Sequence, residues 1–347
     1  MRLGDILGQD RAVAVLQRAL AADRLAHAYL FDGPEGVGKR STAIALGLAL
    51  LCPRAPREGC GHCEICNRIL ASNHPDVLVF DCAQLGDLAK ASSEKSAVKY
   101  AARNVFPYAL AAPHEAAARL LVLENADELS PDVQNTLLKT LEEPRANVHL
   151  VLVTPARERL LPTILSRTQR VRFTPVPPAA LRLISQRQGL PEARAATAAA
   201  LAGGSVSRLI ALVTAEGDVG PFAEAAALRA AAGVGEANAV FDAAVNYGDK
   251  ESKQALPAIL SVLANLYRDA VATTAGAPEL VQLGERRAEI EALAQSGSLP
   301  ELLRGLRAVL DADQAVIANV NAVSLLERLL FDLGRAHRGG SPAGRAA

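Results

Sequence analysis

The stretch Ala28-Tyr29-Leu30-Phe31-Asp32-Gly33-Pro34-Glu35-Gly36-Val37-Gly38-Lys39 is a short apolar run that passes into a glycine-rich loop and then into helix-forming sequence. The spacing Gly33-x4-Gly38-Lys39 is that of a phosphate-binding loop, and it lies in the required order of strand, loop and helix. Gly33, Gly36 and Gly38 let backbone N–H groups turn inward around phosphate oxygens. The helix N-terminus adds partial positive charge, and Lys39 is the residue that reaches terminal phosphates. The next position should carry a hydroxyl for Mg²⁺, but it is Arg40. A guanidinium has no acceptor to offer a cation. Ser41 lies one residue further, about 100° around the helix, and does not simply substitute.

A second element should follow the loop: an apolar strand ending in Asp-Glu, to hold the metal and activate water. Leu120–Leu123 is such a strand, yet it ends in Glu124-Asn125. Asn125 has no basic carboxylate for general-base work. Asp127-Glu128 lies beyond the strand, after Leu-Glu-Asn-Ala. Two defects thus fall on the same chemistry and predict poor hydrolysis at this site.

Outward from the loop, Ala28–Phe31, Val77–Phe80, Leu120–Leu123, His149–Val153 and Val171–Phe173 are short apolar runs separated by helical sequence. This alternation predicts a parallel sheet covered by helices. Residues 4–25 carry Ile6, Leu7, Val13, Leu16 and Leu20 at roughly helical spacing. Another helix is marked by Ser130 as cap, Pro131 in its first turn, Val133, Leu137, Leu138 and Leu141 as its apolar face, and Pro144 as its stop. Thr174–Pro178 holds three prolines and reads as a domain boundary. Beyond it come a small helical unit to about Val213 and further helices from Gly220 to about Leu333, broken by turns at Tyr247–Asp249 and Gly297–Pro300. The last helix is expected to carry Val320, Val323, Leu326, Leu330 and Leu333 on one side. The tail from His337 is expected to be disordered.

Cys52-x7-Cys60-x2-Cys63-x2-Cys66 holds four of the five cysteines within fifteen positions. Four thiolates suit tetrahedral Zn²⁺, and a complete set leaves no open position, which makes the predicted zinc structural. Gly59 and Gly61 permit the tight turns, and His62 is superfluous once four sulfurs are present. Cys82 follows a strand and reads as a small buried side chain.

Composition sets the remaining bounds. Of the 347 residues, 50% are hydrophobic and only 3% aromatic, so Ala and Leu must fill the core, which favours helices. Lys+Arg and Asp+Glu both total 37, and only seven of the basic residues are Lys, a bias we ascribe to codon usage. A zero net charge gives no whole-chain signature of nucleic-acid binding. The N-terminus MRLGDILGQDRAV has no apolar signal segment. No apolar run is expected to reach the roughly 20 residues of a membrane span. The expectation is a cytoplasmic protein with reduced thiols and no membrane partner.

With these motifs in hand the chain resembles bacterial clamp-loader subunits of the AAA+ superfamily. The resemblance rests on Leu3–Gln9, His27–Lys39, the cysteine quartet, Asn73-His-Pro-Asp76, Asn135–Pro144 and Leu161–Thr168, and it covers roughly residues 3–210. Within that family, Gly-Lys-Arg and Glu-Asn in place of Gly-Lys-Thr and Asp-Glu, and the lack of a long extension, favour the delta-prime type over the gamma/tau motor. The Ser-Arg-Cys motif reads Ser166-Arg167-Thr168. The resemblance implies an α/β AAA+ parallel-sheet domain with a zinc insertion (1–173, zinc module 52–66), a small helical lid (174–213), an all-α oligomerising collar (214–336) and a tail (337–347).

The resemblance also implies that Arg167 acts as an arginine finger on a neighbour's ATP, with guanidinium donors for the γ-phosphate. Thr154 falls at the sensor-1 position, where a structural role fits the residue equally well. Gly203–Arg208 resembles the start of the sensor-2 helix, although a capped helix with a surface Arg208 is equally consistent with these residues. Implied cofactors are structural Zn²⁺ and ATP or ADP at Gly33, Gly36, Gly38, Lys39, Arg40 and Ser41. Implied partners are gamma/tau and delta subunits, the sliding clamp and, through the assembly, primed DNA. Two alternatives stay open: an active gamma/tau-type ATPase motor, and an AAA+ zinc scaffold outside replication.

Overall fold

The five apolar runs become five parallel strands in the computed structural model: β1 (Ala28–Asp32), β2 (Val77–Asp81), β3 (Arg119–Glu124), β4 (Val148–Thr154) and β5 (Gln169–Arg172). The structure describes residues 2–91, 96–190, 192–214, 220–234, 236–317 and 320–338. The strand order is β2-β3-β4-β1-β5. β1 is buried along its whole length and β3 along all but its last residue, as expected of strands covered on both faces. Connections from β1 run to one side, toward β2, and those from β4 run to the other, toward β5. The C-terminal ends of β1 and β4 therefore flank a topological switch point, the usual place for a ligand crevice in an open parallel sheet.

Helices cover both faces. α1 spans Asp10–Ala21, α2 Lys39–Leu51, α3 Glu64–Leu70, α4 Leu85–Ala91, α5 Ala97–Asn104, α6 Pro107–Leu110, α7 Pro131–Glu142 and α8 Pro162–Leu165. Leu121, Leu123, Leu150 and Leu152 share a core with Ala101, Leu137 and Leu141 of α5 and α7. On the other face α2 packs against β3 and β4, with Gly47 closely over Val77 and Leu120. Ser130 caps α7 through the Val133 N–H at 3.4 Å, with Pro131 in the first turn, as its sequence predicts. The helix expected over residues 4–25 is shorter, a 3-10 turn at Leu3–Asp5 followed by α1.

The chain divides into two compact units, Met1–Ala180 with Gly204–Val206, and Leu181–Gly203 with Ser207–Ala347. Among its described residues, the second unit's regular elements are all helical. It comprises the body of α9 (Pro178–Arg187), then α10 (Glu192–Leu201), α11 (Val206–Thr214), α12 (Gly220–Val234), α13 (Ala237–Val245), α14 (Lys250–Thr274), α15 (Arg287–Gln295), α16 (Leu299–Ile317) and α17 (Ala322–Arg338). α14 runs through its centre. Tyr267 of α14 is fully buried against Gly305 of α16, where a Cβ would strike the tyrosine ring. Asp269, also fully buried, accepts the N–H groups of Gln282 and Leu283 at 3.0 and 2.8 Å and so fixes the chain beyond the helix.

Three expectations are corrected here. Ala255–Thr274 is long and apolar enough to cross a membrane by length and composition, contrary to the expectation that no run would be; 67% of that window is buried inside the unit, where it forms the core. Val320 precedes α17 and is 43% exposed, whereas Leu326, Leu330 and Leu333 are buried as expected. The tail expected to be disordered begins within α17, which continues to Arg338; residues 339–347 lie outside the described residues.

Candidate functional site

The phosphate-type loop leaves the C-terminal end of β1 and enters α2, where Gly38 is the N-cap in the left-handed region at φ 98°. Gly33, at φ 154°, lies so close to Phe173 that a Cβ would collide with the Phe173 carbonyl. Two distant segments hold the loop. The Gln9 side-chain amide donates to Val37 O at 3.1 Å and Thr174 O at 2.7 Å, and its oxygen accepts the Thr174 N–H. The Val206 N–H donates to Gly36 O at 2.7 Å. Gln9 is 3% exposed. Its role was not legible in the sequence beyond its place in the Leu3–Gln9 run.

Lys39 is buried, and its ammonium donates to the carbonyls of Gly33 and Pro34. Burial pulls its pKa down to about 8, against the opposing pull of the Glu35, Asp32 and Asp127 carboxylates. Asp127 therefore belongs to the loop's surroundings. Its carboxylate is 5% exposed and accepts the Thr154 hydroxyl at 2.8 Å. The sequence excluded Asp127 because it lies beyond the strand; in fact a 3-10 turn over Ala126–Glu128 folds it back to the end of β4. Thr154 also accepts the Ala156 N–H at 2.9 Å, so its hydroxyl is engaged within the chain on both sides.

Where the metal machinery would stand, the two departures from the motif meet different partners. Arg40 Nη1 lies 2.8 Å from Glu124 Oε2. Burial raises the Glu124 carboxyl, Arg40 opposes this, and Asp81 reinforces it. Asn125 adopts the left-handed conformation at φ 51°, and its amide donates to Asp81 Oδ1 at 2.8 Å. Thr42, the nearest further hydroxyl, is fully buried and donates to Gly38 O. Ser41 sits in the first turn of α2, half-buried.

Arg167 lies just after α8 and two residues before β5. It pairs with Glu142 at 2.8 Å and donates to Thr163 O, and its side chain is 36% exposed. β5 runs parallel to β1, with Tyr29 opposite Gln169. Arg167 therefore stands at the N-terminal edge of the sheet, and the phosphate-type loop stands at the C-terminal edge. The two cannot meet within one chain. Arg208 belongs to the second unit, where both oxygens of Asp313 on α16 accept from it at 2.9 Å.

The four cysteines form a second site on the same unit. Their sulfurs lie within 4.8 Å of one another, with Cys52–Cys63 at 4.0 Å and Cys60–Cys66 at 3.8 Å. A tetrahedron of thiolates about 2.3 Å from zinc has edges of about 3.8 Å. The N–H groups of Ala55 and Cys60 point at Cys52, that of Cys63 at Cys60 and that of Cys66 at Cys63, all at 3.3–3.4 Å, as suits sulfurs carrying negative charge. The residues fit Zn²⁺. His62 turns away, its Nδ1 2.8 Å from Cys60 O. Cys82 is buried apart from the quartet, and burial pushes its thiol pKa up.

A parallel sheet ordered β2-β3-β4-β1-β5, with a phosphate-type loop leaving β1 beside the switch point, defines a protein of the phosphate-loop α/β class. Residues 8–177 match the family described as "DNA polymerase III, delta subunit". Over 180 residues the chain is 36% identical to the DNA polymerase III subunit delta' of Bacillus subtilis, covering 51% of this chain and 52% of that one. Over 187 residues it is 35% identical to the gamma/tau subunit of Mycobacterium tuberculosis, covering 53% and 30%. A solved RuvB variant of Thermotoga maritima superposes with a TM-score of 0.40 at 18% identity, over 61% of this chain and 62% of that one. Through residues 8–177 the chain is similar to clamp-loader subunits of DNA polymerase III, delta' and gamma/tau among them. It spans about half the length of the delta' relative and less of gamma/tau.

Proposed function

We propose that the chain is a delta'-like subunit of a DNA polymerase III clamp loader that does not act as the motor. The observation that carries this reading is the Arg40–Glu124 ion pair, which sits where a hydrolysing site would hold Mg²⁺. Asn125, already hydrogen-bonded to Asp81, offers no base to activate water. The chain completes a ring with gamma/tau and delta subunits and assists ATP-dependent loading of the sliding clamp on primed DNA in the cytoplasm. Arg167 supplies a guanidinium to the γ-phosphate on a neighbouring subunit, a role supported by its place on the sheet edge opposite its own loop. Residues 1–173 form the AAA+ domain, 174–213 the lid and 214–336 the collar. Zn²⁺ on Cys52, Cys60, Cys63 and Cys66 stabilises the module after α2, and ATP or ADP occupies Gly33–Lys39.

A gamma/tau-type motor is the second reading, favoured by the retained Lys39 and by near-equal identity to gamma/tau. Reconstitution with a gamma/tau subunit and a delta subunit separates the two. On the delta' reading, clamp loading requires this chain together with gamma/tau. If the chain replaces gamma/tau and loads clamps without it, the motor reading stands instead.

A further inference from the structure

The Arg40–Glu124 pair does more than interrupt a metal site. A phosphate-type loop that works through Mg²⁺ needs a hydroxyl in the first turn of its helix and an acid at the end of the neighbouring strand. Here the first position is Arg40, and the second, Glu124, is held by it at 2.8 Å. The neighbouring hydroxyls offer no replacement: Thr42 donates to Gly38 O, and Ser41 is turned about 100° around the helix. A divalent cation placed there would have to displace the guanidinium from Glu124 and then face its charge.

The same guanidinium is well placed to act as a cation itself. It sits in the first turn of α2, next to Lys39 and the left-handed Gly38, where the helix already favours negative charge. Its side chain is 56% exposed, so it has room to move toward a ligand. The ion pair engages Nη1, and a guanidinium carries five N–H donors suited to phosphate oxygens. Glu124 is 13% exposed and holds the side chain through this pair.

We propose that this site binds nucleotide di- and triphosphates without a divalent cation, with Arg40 as the counter-charge. The proposal rests on the reading in which Gly33–Lys39 takes nucleotide phosphates. It is tested by equilibrium binding of ADP and of ATP to the full chain, in millimolar Mg²⁺ and in excess EDTA. Affinities in the two buffers are expected to agree within about threefold. Arg40→Lys keeps the charge and should stay cation-independent. Arg40→Thr restores the hydroxyl and frees Glu124, so it should lose about tenfold or more in EDTA and recover with Mg²⁺. Thermal melts should show both variants folded, with Arg40→Lys matching wild type and Arg40→Thr somewhat lower, because Glu124 loses its counter-charge.

Wild-type binding that falls about tenfold on chelation overturns the proposal and leaves the loop reading intact. Arg40→Thr binding as tightly as wild type in EDTA also overturns it. Absence of ADP and ATP binding in both buffers overturns the proposal together with the loop reading, without touching the chain's similarity to clamp-loader subunits.

Discussion

Replacing Asp76 by Asn should destabilise the first unit by about 3 kcal/mol, and the estimate follows from the carboxylate's surroundings. Asp76 is fully buried before β2 and accepts the N–H groups of His114, Glu115 and Ala116 at 2.6, 2.8 and 3.0 Å. Arg119, 5% exposed at the start of β3, adds Nε at 2.9 Å and Nη2 at 2.8 Å. Burial alone would raise the carboxyl; these donors outweigh it and hold the pKa down to about 2 from 3.8. That difference corresponds to about 2.5 kcal/mol of preference for the charged form. Breaking a buried pair by removing one partner costs about 3–5 kcal/mol. Asn keeps one acceptor and turns an amide NH₂ toward existing donors.

The contribution has a defined pH window. The folded pKa is depressed, so the stabilisation is complete above about pH 4. It is lost as pH falls toward 2, through the folded pKa. The assay is urea unfolding of wild type and Asp76→Asn at neutral and acid pH, with hydrogen exchange over residues 114–124 as the local readout. A loss below about 1 kcal/mol at neutral pH, or wild-type exchange across that segment, would refute the reasoning.

Two further outcomes are expected. The purified chain should carry one zinc, and Cys63→Ser should release it and raise exchange over residues 52–66, because metal binding is folding energy in such a module; stoichiometric zinc in the variant would speak against the ligand set. The isolated chain should turn over ATP well below about 1 s⁻¹, the lower end of ordinary enzyme rates, with Lys39→Ala changing it little; a Lys39-dependent rate at or above that level would return the chain to the motor class.

Much of the first unit was legible because its strands are buried on both faces. Burial forces continuous apolar runs such as Leu120–Leu123 and His149–Val153, and those runs need no knowledge of the tertiary fold. The cysteine quartet was legible for a similar reason: its four ligands lie close in sequence. What escaped depends on long-range placement. Gln9 reaches Val37 and Thr174, and no local pattern marks a glutamine as a clamp. Asp127 was set aside by the rule that the motif acid ends the strand, but a 3-10 turn returns it toward Lys39 and Thr154. Arg40 and Asn125 were read as the two defects, and only the 2.8 Å separation of Arg40 from Glu124 reveals those two as one feature. Arg208 was matched by its helix start, whereas its partner Asp313 lies 105 residues away. In α14, hydrophobicity sufficient for a membrane span serves instead as the core of a helical unit.

On the proposed reading the chain acts on a neighbour's nucleotide through Arg167, and rebuilt complexes decide this. Clamp-loader complexes are rebuilt from gamma/tau and delta subunits with wild type, Arg167→Ala or Arg167→Lys, and DNA-stimulated ATP hydrolysis is measured once equal assembly is verified. Arg167 is surface-exposed, and its partners Glu142, Thr163 and Ser166 lie at the surface with it, so both variants should fold and assemble. Hydrolysis should fall by about tenfold or more with Ala, since arginine fingers contribute larger factors still. Lys should rescue little, because a point charge cannot replace the planar fork. Wild-type rates for both variants would contradict the account and leave Arg167 as a surface residue paired with Glu142.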